Sequence, residues 1–385
     1  MDFRLNEEQQ QFADSLGRWV SDNYGFEARK AIIGSPEGTS QAAWHALTEL
    51  GATALPVPSD AGGLDGSAVD MMIVMQELGK GLVVEPYFAT ALAVELLKRS
   101  GGHPILEQVA QGQVKLACAL HETQARHDVF DVQTSAEPSG DGYVLNGSKA
   151  AVIHGGQADA LVVVARTRGA QRDTDGLSLF LVRADAAGLS IKDYRTFDGQ
   201  RAADLVLNNV AVSSADVLGQ AGAAWDILDA AIDYGTALLC AEALGLMEVT
   251  NAATLEYLKT RQQFGVPIGT FQVLQHRMAD MYMHFEQARS ITLLAVDSLD
   301  HAEAGDRHYR VSAAKVRVGQ AMKFIGQQSV QMHGGMGMTN EMPVSHYFKR
   351  MTAIELTLGD TQYHLSRFVS QPAFLPSDAS VPVEA

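Results

Sequence analysis

From about residue 6 to residue 100, and again from about residue 224 to residue 333, apolar side chains recur at the three-to-four-residue interval of a helix face. Asn6 stands as an N-cap before a helix carrying Phe12, Leu16, Trp19 and Val20. Further helices are predicted over Gln41–Leu50, Ala68–Leu78 and Phe88–Arg99, with Pro56, Pro58 and Gly62-Gly63 fixing a loop between two of them. In the middle the period shortens. Tyr143–Leu145, Ala160–Ala165, Leu177–Val182 and Leu205–Val212 are short runs rich in β-branched residues, separated by Gly, Asp and Asn clusters. That pattern predicts a small antiparallel β-domain, a barrel or a sandwich.

The helical period then returns in three long segments, about Ala224–Arg261, Phe271–Ala304 and His308–His333. In the last of these Ala314, Val318, Met322, Ile325 and Ser329 fall on one stripe. With the helix expected after Gly334-Gly335 they make a four-helix-type bundle. The chain is thus expected to comprise an N-terminal helical domain over 1–114, a β-domain over 115–219, a helical bundle over 220–370 and a flexible tail over 371–385, rich in Pro, Ser, Asp and Ala.

Composition narrows the chemistry. A length of 385 residues is more than one small core needs, and a hydrophobic share of 46% with 19% charged residues is that of a globular protein. The net charge of −16 argues against nucleic acid or an anionic membrane as partner, since both are polyanions. A phosphate-rich ligand would therefore need a local cationic spot. Cys118 and Cys240, each among apolar neighbours, are expected to be buried free thiols in a reducing compartment. The start MDFRLNEEQQ is too polar for a signal peptide. The stretch Trp225–Met247 is interrupted by Asp226, Asp229, Asp233 and Glu242, so it is expected not to span a bilayer. A cytoplasmic location follows as the expectation, and no metal-ligand spacing is visible.

Two local motifs carry candidate chemistry. Arg261, at a helix end before a proline-containing loop, could grip a pyrophosphate with its planar fork, or could simply oppose the helix C-terminal dipole. QMHGG, ending at Gly335, reads as a helix C-cap with backbone exposed for close approach, although most such pairs are only turns.

Longer motifs go further: WHALTELG at Trp44–Gly51, LPVPSDAGGLDGS at Leu55–Ser67, MQELGKGL at Met75–Leu82, GYVLNGSKAAVIHGG at Gly142–Gly156 and TRQQFGVPIGTFQVLQHRMADM at Thr260–Met281. Together with the segment Gln331–His364, they resemble the acyl-CoA dehydrogenase family over nearly the whole chain, in the order helical domain, β-domain, helical bundle. The resemblance implies an FAD flavoprotein that dehydrogenates an acyl-CoA thioester between its α and β carbons. It also implies a homo- or heterotetramer and an electron-transfer flavoprotein as electron acceptor. Arg261, Phe264 and Gln272, with Gln331, Gly334 and Gly335, would touch the adenosine–pyrophosphate half of the FAD held by a neighbouring subunit. Gln362 would be a further polar FAD contact.

The chain departs from the family where the reaction takes place. A flavin-wrapping segment rich in Thr, Glu, Pro, Gly and Ser here reads ALHETQARHD, keeping Glu122 but placing Gln124, Arg126 and His127 at Gly and Ser positions. The family's Trp-Ile-Thr triplet reads Ala151-Val152-Ile153, without the indole or the hydroxyl. The position of the catalytic glutamate holds Leu358, and the alternative Glu-Arg pair of some members is Gly235-Thr236. Asp360 and Asp233 lie close in sequence to those two positions and are expected to cap helices or face solvent. No catalytic residue is therefore assigned. Three functions remain open: a half-site subunit of a heteromeric dehydrogenase completed by a related glutamate-bearing subunit, a self-sufficient homotetramer (or an oxidase or monooxygenase cousin) with another base, and a flavin-free binding or scaffold protein.

Overall fold

The computed structural model describes residues 5–370, so the expected tail over 371–385 lies outside the described residues. These residues fall into two compact units, one of 6–74 and 81–235, the other of 5, 75–80 and 236–370.

In the first unit Asn6 caps α1 (Glu7–Asn23) through a reciprocal box. Its side chain accepts from the Gln9 amide and Gln9 reaches back to the Asn6 amide. There follow α2 (Phe26–Gly34), α3 (Gln41–Glu49), the first half of α4 (Ala68–Lys80), α5 (Tyr87–Arg99) and α6 (Ile105–Ala110). Next come β1 (Leu116–Ala119), β2 (Ser135–Ser139), β3 (Gly142–Ile153), β4 (Ala160–Arg166), β5 (Leu177–Arg183), β6 (Leu189–Arg195), β7 (Arg201–Val212) and β8 (Val217–Leu218). They form one sheet in the order β6-β7-β3-β2-β4-β5-β8, with β1 beside β4.

The sheet is open at β6 and β8, so of the two expected architectures the closed barrel is not the one adopted. Nor is it purely antiparallel. β1 runs parallel to β4, and Ser135 of β2 makes a parallel bridge to Arg166. At the start of β1 the Thr90 hydroxyl of α5 bonds both the amide and the carbonyl of Leu116 and anchors the strand to that helix. β4 is buried at every position, as a strand covered on both faces must be. Leu145, Leu161, Val163, Phe180 and Leu205 form the centre of the core that holds the loops of this unit.

The second unit is helical. α7 (Trp225–Thr260) begins in the first unit and continues here, followed by the short hairpin β9 (Gln262–Gln263) and β10 (Val266–Pro267). α8 (Gln272–His301), α9 (Ala304–His333), α10 (Pro343–Leu356) and α11 (Thr361–Val369) complete it. The stripe Ala314, Val318, Met322, Ile325 and Ser329 is buried, which places α9 at the centre of the bundle. By length and composition α7 could cross a membrane, contrary to the expectation that its acids forbid it. However, 94% of its most apolar stretch is buried inside the protein, as in a core helix. Cys118 and Cys240 are free thiols, and burial pushes the Cys240 thiol up to about 12.

α7 and α10 are locked by a buried two-pronged ion pair. Arg350 Nε donates to Glu242 Oε1 at 2.6 Å and Nη2 donates to Oε2 at 2.7 Å. Arg350→Met should lower the unfolding free energy by about 3–5 kcal/mol, because it strands a buried carboxylate. Glu242→Leu combined with Arg350→Met should recover most of that loss, as read from urea midpoints.

Candidate functional site

The turn between α10 and α11 holds the position at which the sequence lacks a base. Lys315, on the buried stripe of α9, donates from Nζ to the carbonyls of Glu355 at 3.3 Å, Thr357 at 2.7 Å and Gly359 at 2.6 Å. Glu355 lies in the last turn of α10, where carbonyls are left unpaired, and Thr357 and Gly359 lie in the connection that follows. Burial pulls the Lys315 ammonium down to about 8, and the three carbonyl acceptors are what its charged form requires. From α11, His364 donates Nε2–H to the Leu358 carbonyl at 2.9 Å, and Glu355 Oε1 accepts from the Thr361 amide at 2.8 Å. Asp360 caps α11 by accepting from the Tyr363 amide at 2.8 Å, the capping role expected of it. Leu358 sits at φ +53, a left-handed conformation that costs a non-glycine residue about 1–2 kcal/mol. Gly359 follows at φ +104, where a Cβ would stand 2.5 Å from the Tyr363 ring. The turn is thus tied down from α9 and α11, with an apolar, buried side chain at its apex.

The other candidate position is no better equipped. Thr236, fully buried on α7, has a hydroxyl with no hydrogen-bond partner, and an unactivated hydroxyl does not accept a proton at neutral pH. Asp233 corrects an expectation: it lies inside α7 and is fully buried, so it neither caps a helix nor faces solvent.

In the β-domain, Glu122 is consumed by its own surroundings. Its carboxylate accepts from Lys149 Nζ at 2.8 Å, the Gln133 amide at 2.8 Å, the Thr134 amide at 3.0 Å and Gln124 Nε2 at 2.9 Å. Burial alone would raise its pKa, but the Lys149 ammonium and these donors outweigh that and hold it down at about 2. One strand over, β3 shifts register between Lys149 and Val152, and Ala151 takes φ +52 with its amide on Asp204 Oδ1. The triplet Ala151-Val152-Ile153 therefore presents neither a hydroxyl nor an aromatic face. Arg126, at φ +48, is exposed.

A third place is open. Arg261, Gln331, Gly334 and Gly335 line one concavity of about 440 Å³, together with Tyr257 and His333, whose rings stack at 4.3 Å. The Arg261 side chain is exposed and forms no ion pair among the described residues. Gly334 adopts φ +60, ψ −142, a conformation reserved for glycine, and added Cβ atoms at Gly334 and Gly335 would meet nothing within 4 Å. Beyond Arg261 the β9–β10 hairpin turns through Phe264 and Gly265, both at positive φ, as a two-residue turn requires. This presents Phe264 to solvent with 92% of its surface exposed, edge-on to Phe271. Gln272 opens α8 just after, also exposed. Gln362 stands exposed in the first turn of α11 and does not line the concavity.

Comparison with known proteins places these features. Residues 6–110 match the acyl-CoA dehydrogenase N-terminal domain, 117–210 the middle domain and 222–370 the C-terminal domain. The chain belongs to the acyl-CoA dehydrogenase family. It is 28% identical to a mitochondrial isovaleryl-CoA dehydrogenase of Solanum tuberosum, over 93% of this chain and 89% of that one. Among solved structures, the ChsE4–ChsE5 complex from Mycobacterium tuberculosis superposes with a TM-score of 0.88 at 27% identity, covering 98% and 100% of the two chains. Butyryl-CoA dehydrogenase from Megasphaera elsdenii superposes with a TM-score of 0.86 at 25% identity, covering 96% and 98%.

Members of the acyl-CoA dehydrogenase family are FAD flavoproteins, and this chain fits the cofactor in one half only. The C-terminal concavity offers an exposed guanidinium without an ion pair among the described residues and bare glycine backbone, which could hold a pyrophosphate, and Phe264 stands exposed on the neighbouring hairpin. The β-domain segment does not match a flavin ring, because Glu122 is spent on Lys149 and the triplet on β3 is apolar. Sequence reasoning missed Lys315, His364, Tyr257 and His333. Lys315 did leave a signal, since a lysine inside an apolar stripe is almost never buried without partners.

Lys315→Met should cost about 3–5 kcal/mol of stability by leaving carbonyls of the α10–α11 turn unpaired, measured by urea unfolding. Glu122 has a native pKa below its ordinary 4.5, so its contribution is complete above that pH and is lost as pH falls toward about 2. Glu122→Gln should accordingly flatten the acid limb of the plot of urea midpoint against pH.

Proposed function

We propose that this chain is the base-lacking subunit of a heteromeric acyl-CoA dehydrogenase, contributing to α,β-dehydrogenation of an acyl-CoA thioester by completing the FAD site of a related, glutamate-bearing subunit. The observation that carries the proposal is an asymmetry. The concavity at Arg261 and Gly334-Gly335 is open and uncommitted, whereas the apex of the α10–α11 turn is a buried leucine.

FAD, when bound, supplies the hydride acceptor. Toward it, Arg261 would neutralise pyrophosphate charge, Gly334 and Gly335 would allow close backbone approach, and Phe264, Gln272 and Gln331 would line the adenosine. Gln362 would add a polar contact from α11. Removing the α-proton of a thioester needs a positioned base, worth about 10²–10⁴-fold in rate, and Leu358 cannot accept a proton. The base, and the donors to the thioester oxygen, would come from the partner. Electrons would leave through an electron-transfer flavoprotein, and the setting would be fatty-acid or steroid β-oxidation in the cytoplasm. Likeness to the ChsE4–ChsE5 complex, and to a solved steroid acyl-CoA dehydrogenase assembly with 28% identity and a TM-score of 0.85, supports a two-chain arrangement.

The test is purification of the chain alone and together with a glutamate-bearing member of the family from the same organism. Alone, it should be colourless and inactive toward acyl-CoA. The pair should co-purify, carry about one flavin per two chains, and lose most of that flavin with Arg261→Ala. A yellow, acyl-CoA-oxidising preparation of this chain by itself would sink the proposal.

A further inference from the structure

Between α9 and α10 lies a cavity of about 170 Å³. Gly319 and Gly326, seven residues apart on one face of α9, present bare backbone to α10 there. A Cβ on Gly326 would stand 2.5 Å from the Phe348 ring, and one on Gly319 would stand 2.3 Å from Glu355 Oε2. Gly319 and Glu355 both line the cavity, so this carboxylate stands in its wall. Its Oε1 accepts from the Thr361 amide, but its Oε2 is buried and has no hydrogen-bond partner. Lys315 faces the carboxylate from α9, yet its ammonium is spent on backbone carbonyls and forms no ion pair with Glu355 among the described residues. A buried carboxylate oxygen without a donor is costly, and folded proteins rarely leave one. What the cavity lacks is a single donor, and a charged one would bond most strongly.

The rest of the lining says what should carry that donor. Met322 and Met351 are buried, and the half-buried Phe348 ring lies beside them. Thioether sulfur and an aromatic face are polarisable surfaces that suit an apolar body attached to a cation. Lys323 and Thr352 are exposed and mark the mouth, and the Thr352 hydroxyl is already spent on the Phe348 carbonyl at 2.8 Å. At the mouth the Lys323 charge is screened by solvent and salt. An apolar cavity of about 150 Å³ holds a benzene ring, so the space here admits a ligand of that size. We propose that this cavity binds a small primary ammonium with an apolar body, the ammonium donating to Glu355 Oε2 and the body lying between Met322, Phe348 and Met351. The site is built from this chain's own residues and does not depend on the flavin reading. Because Oε1 of the same carboxylate holds the Thr361 amide, an occupant would be linked directly to the α10–α11 turn.

The experiment is isothermal titration calorimetry of the full chain with benzylammonium, using benzyl alcohol and benzoate as uncharged and anionic controls. Benzylammonium should bind with a dissociation constant of about 10⁻⁴–10⁻³ M, as expected of so small a ligand. Benzyl alcohol should bind about tenfold more weakly, and benzoate should not bind. Glu355→Gln, which keeps an acceptor for the Thr361 amide, should weaken benzylammonium about 10–100-fold. Thr352→Trp is the second probe. It lies at the exposed mouth, so it should block entry without disturbing the core, and it tests the site even where the Glu355 change alters folding. No saturable binding of benzylammonium, benzoate binding as tightly as benzylammonium, or undiminished binding to folded Glu355→Gln or to Thr352→Trp would each overturn the proposal.

Discussion

An ammonium buried among backbone carbonyls governs the most informative part of this chain. Lys315 reaches from α9 to one carbonyl in the last turn of α10 and two in the connection to α11, and so holds the place where that helix stops and the chain turns. A buried charge must be paired or heavily hydrogen-bonded, and here the carbonyl oxygens satisfy it in place of a carboxylate. With His364 on the Leu358 carbonyl and Asp360 capping α11, the turn is held from three sides. That frame holds Leu358 at the apex, buried and in a left-handed conformation.

The same accounting separates the two candidate cofactor regions. Around Glu122, donors and acceptors are matched internally, so the segment is a structural knot that ties the loop before β2 to β3. Around Arg261 they are not, and the guanidinium, the glycine backbone and the Phe264 ring all face outward. Polar groups left uncommitted at ordered positions are available to a ligand, while those already satisfied are not. Members of the family are FAD flavoproteins, and of these two regions the one at Arg261 is where polar groups remain unspent.

Much of the architecture was readable in advance. Asn6 signalled the start of α1, the stripe through Ala314 and Ile325 marked the central helix, and the change of period after residue 114 announced the sheet. The uncommitted residues Arg261, Gln331, Gly334 and Gly335 were also found, through motifs, and they do line one concavity. Less was legible where packing overrides local pattern. The anchoring of β1 depends on Thr90, distant in sequence, and the burial of Asp233 depends on what surrounds the start of α7.

Sequence by itself determined the family, the succession of helical, sheet and helical segments, and the absence of a glutamate at position 358, because periodicity and residue identity are local properties. Only the tertiary structure decided which polar groups were already spent. It assigned Lys315 to the turn, Glu122 to Lys149 and Asp360 to a helix cap, and left Arg261 without an ion pair among the described residues. Whether a charged group is satisfied depends on atoms brought within about 3 Å by the fold, from residues that sequence spacing does not place together.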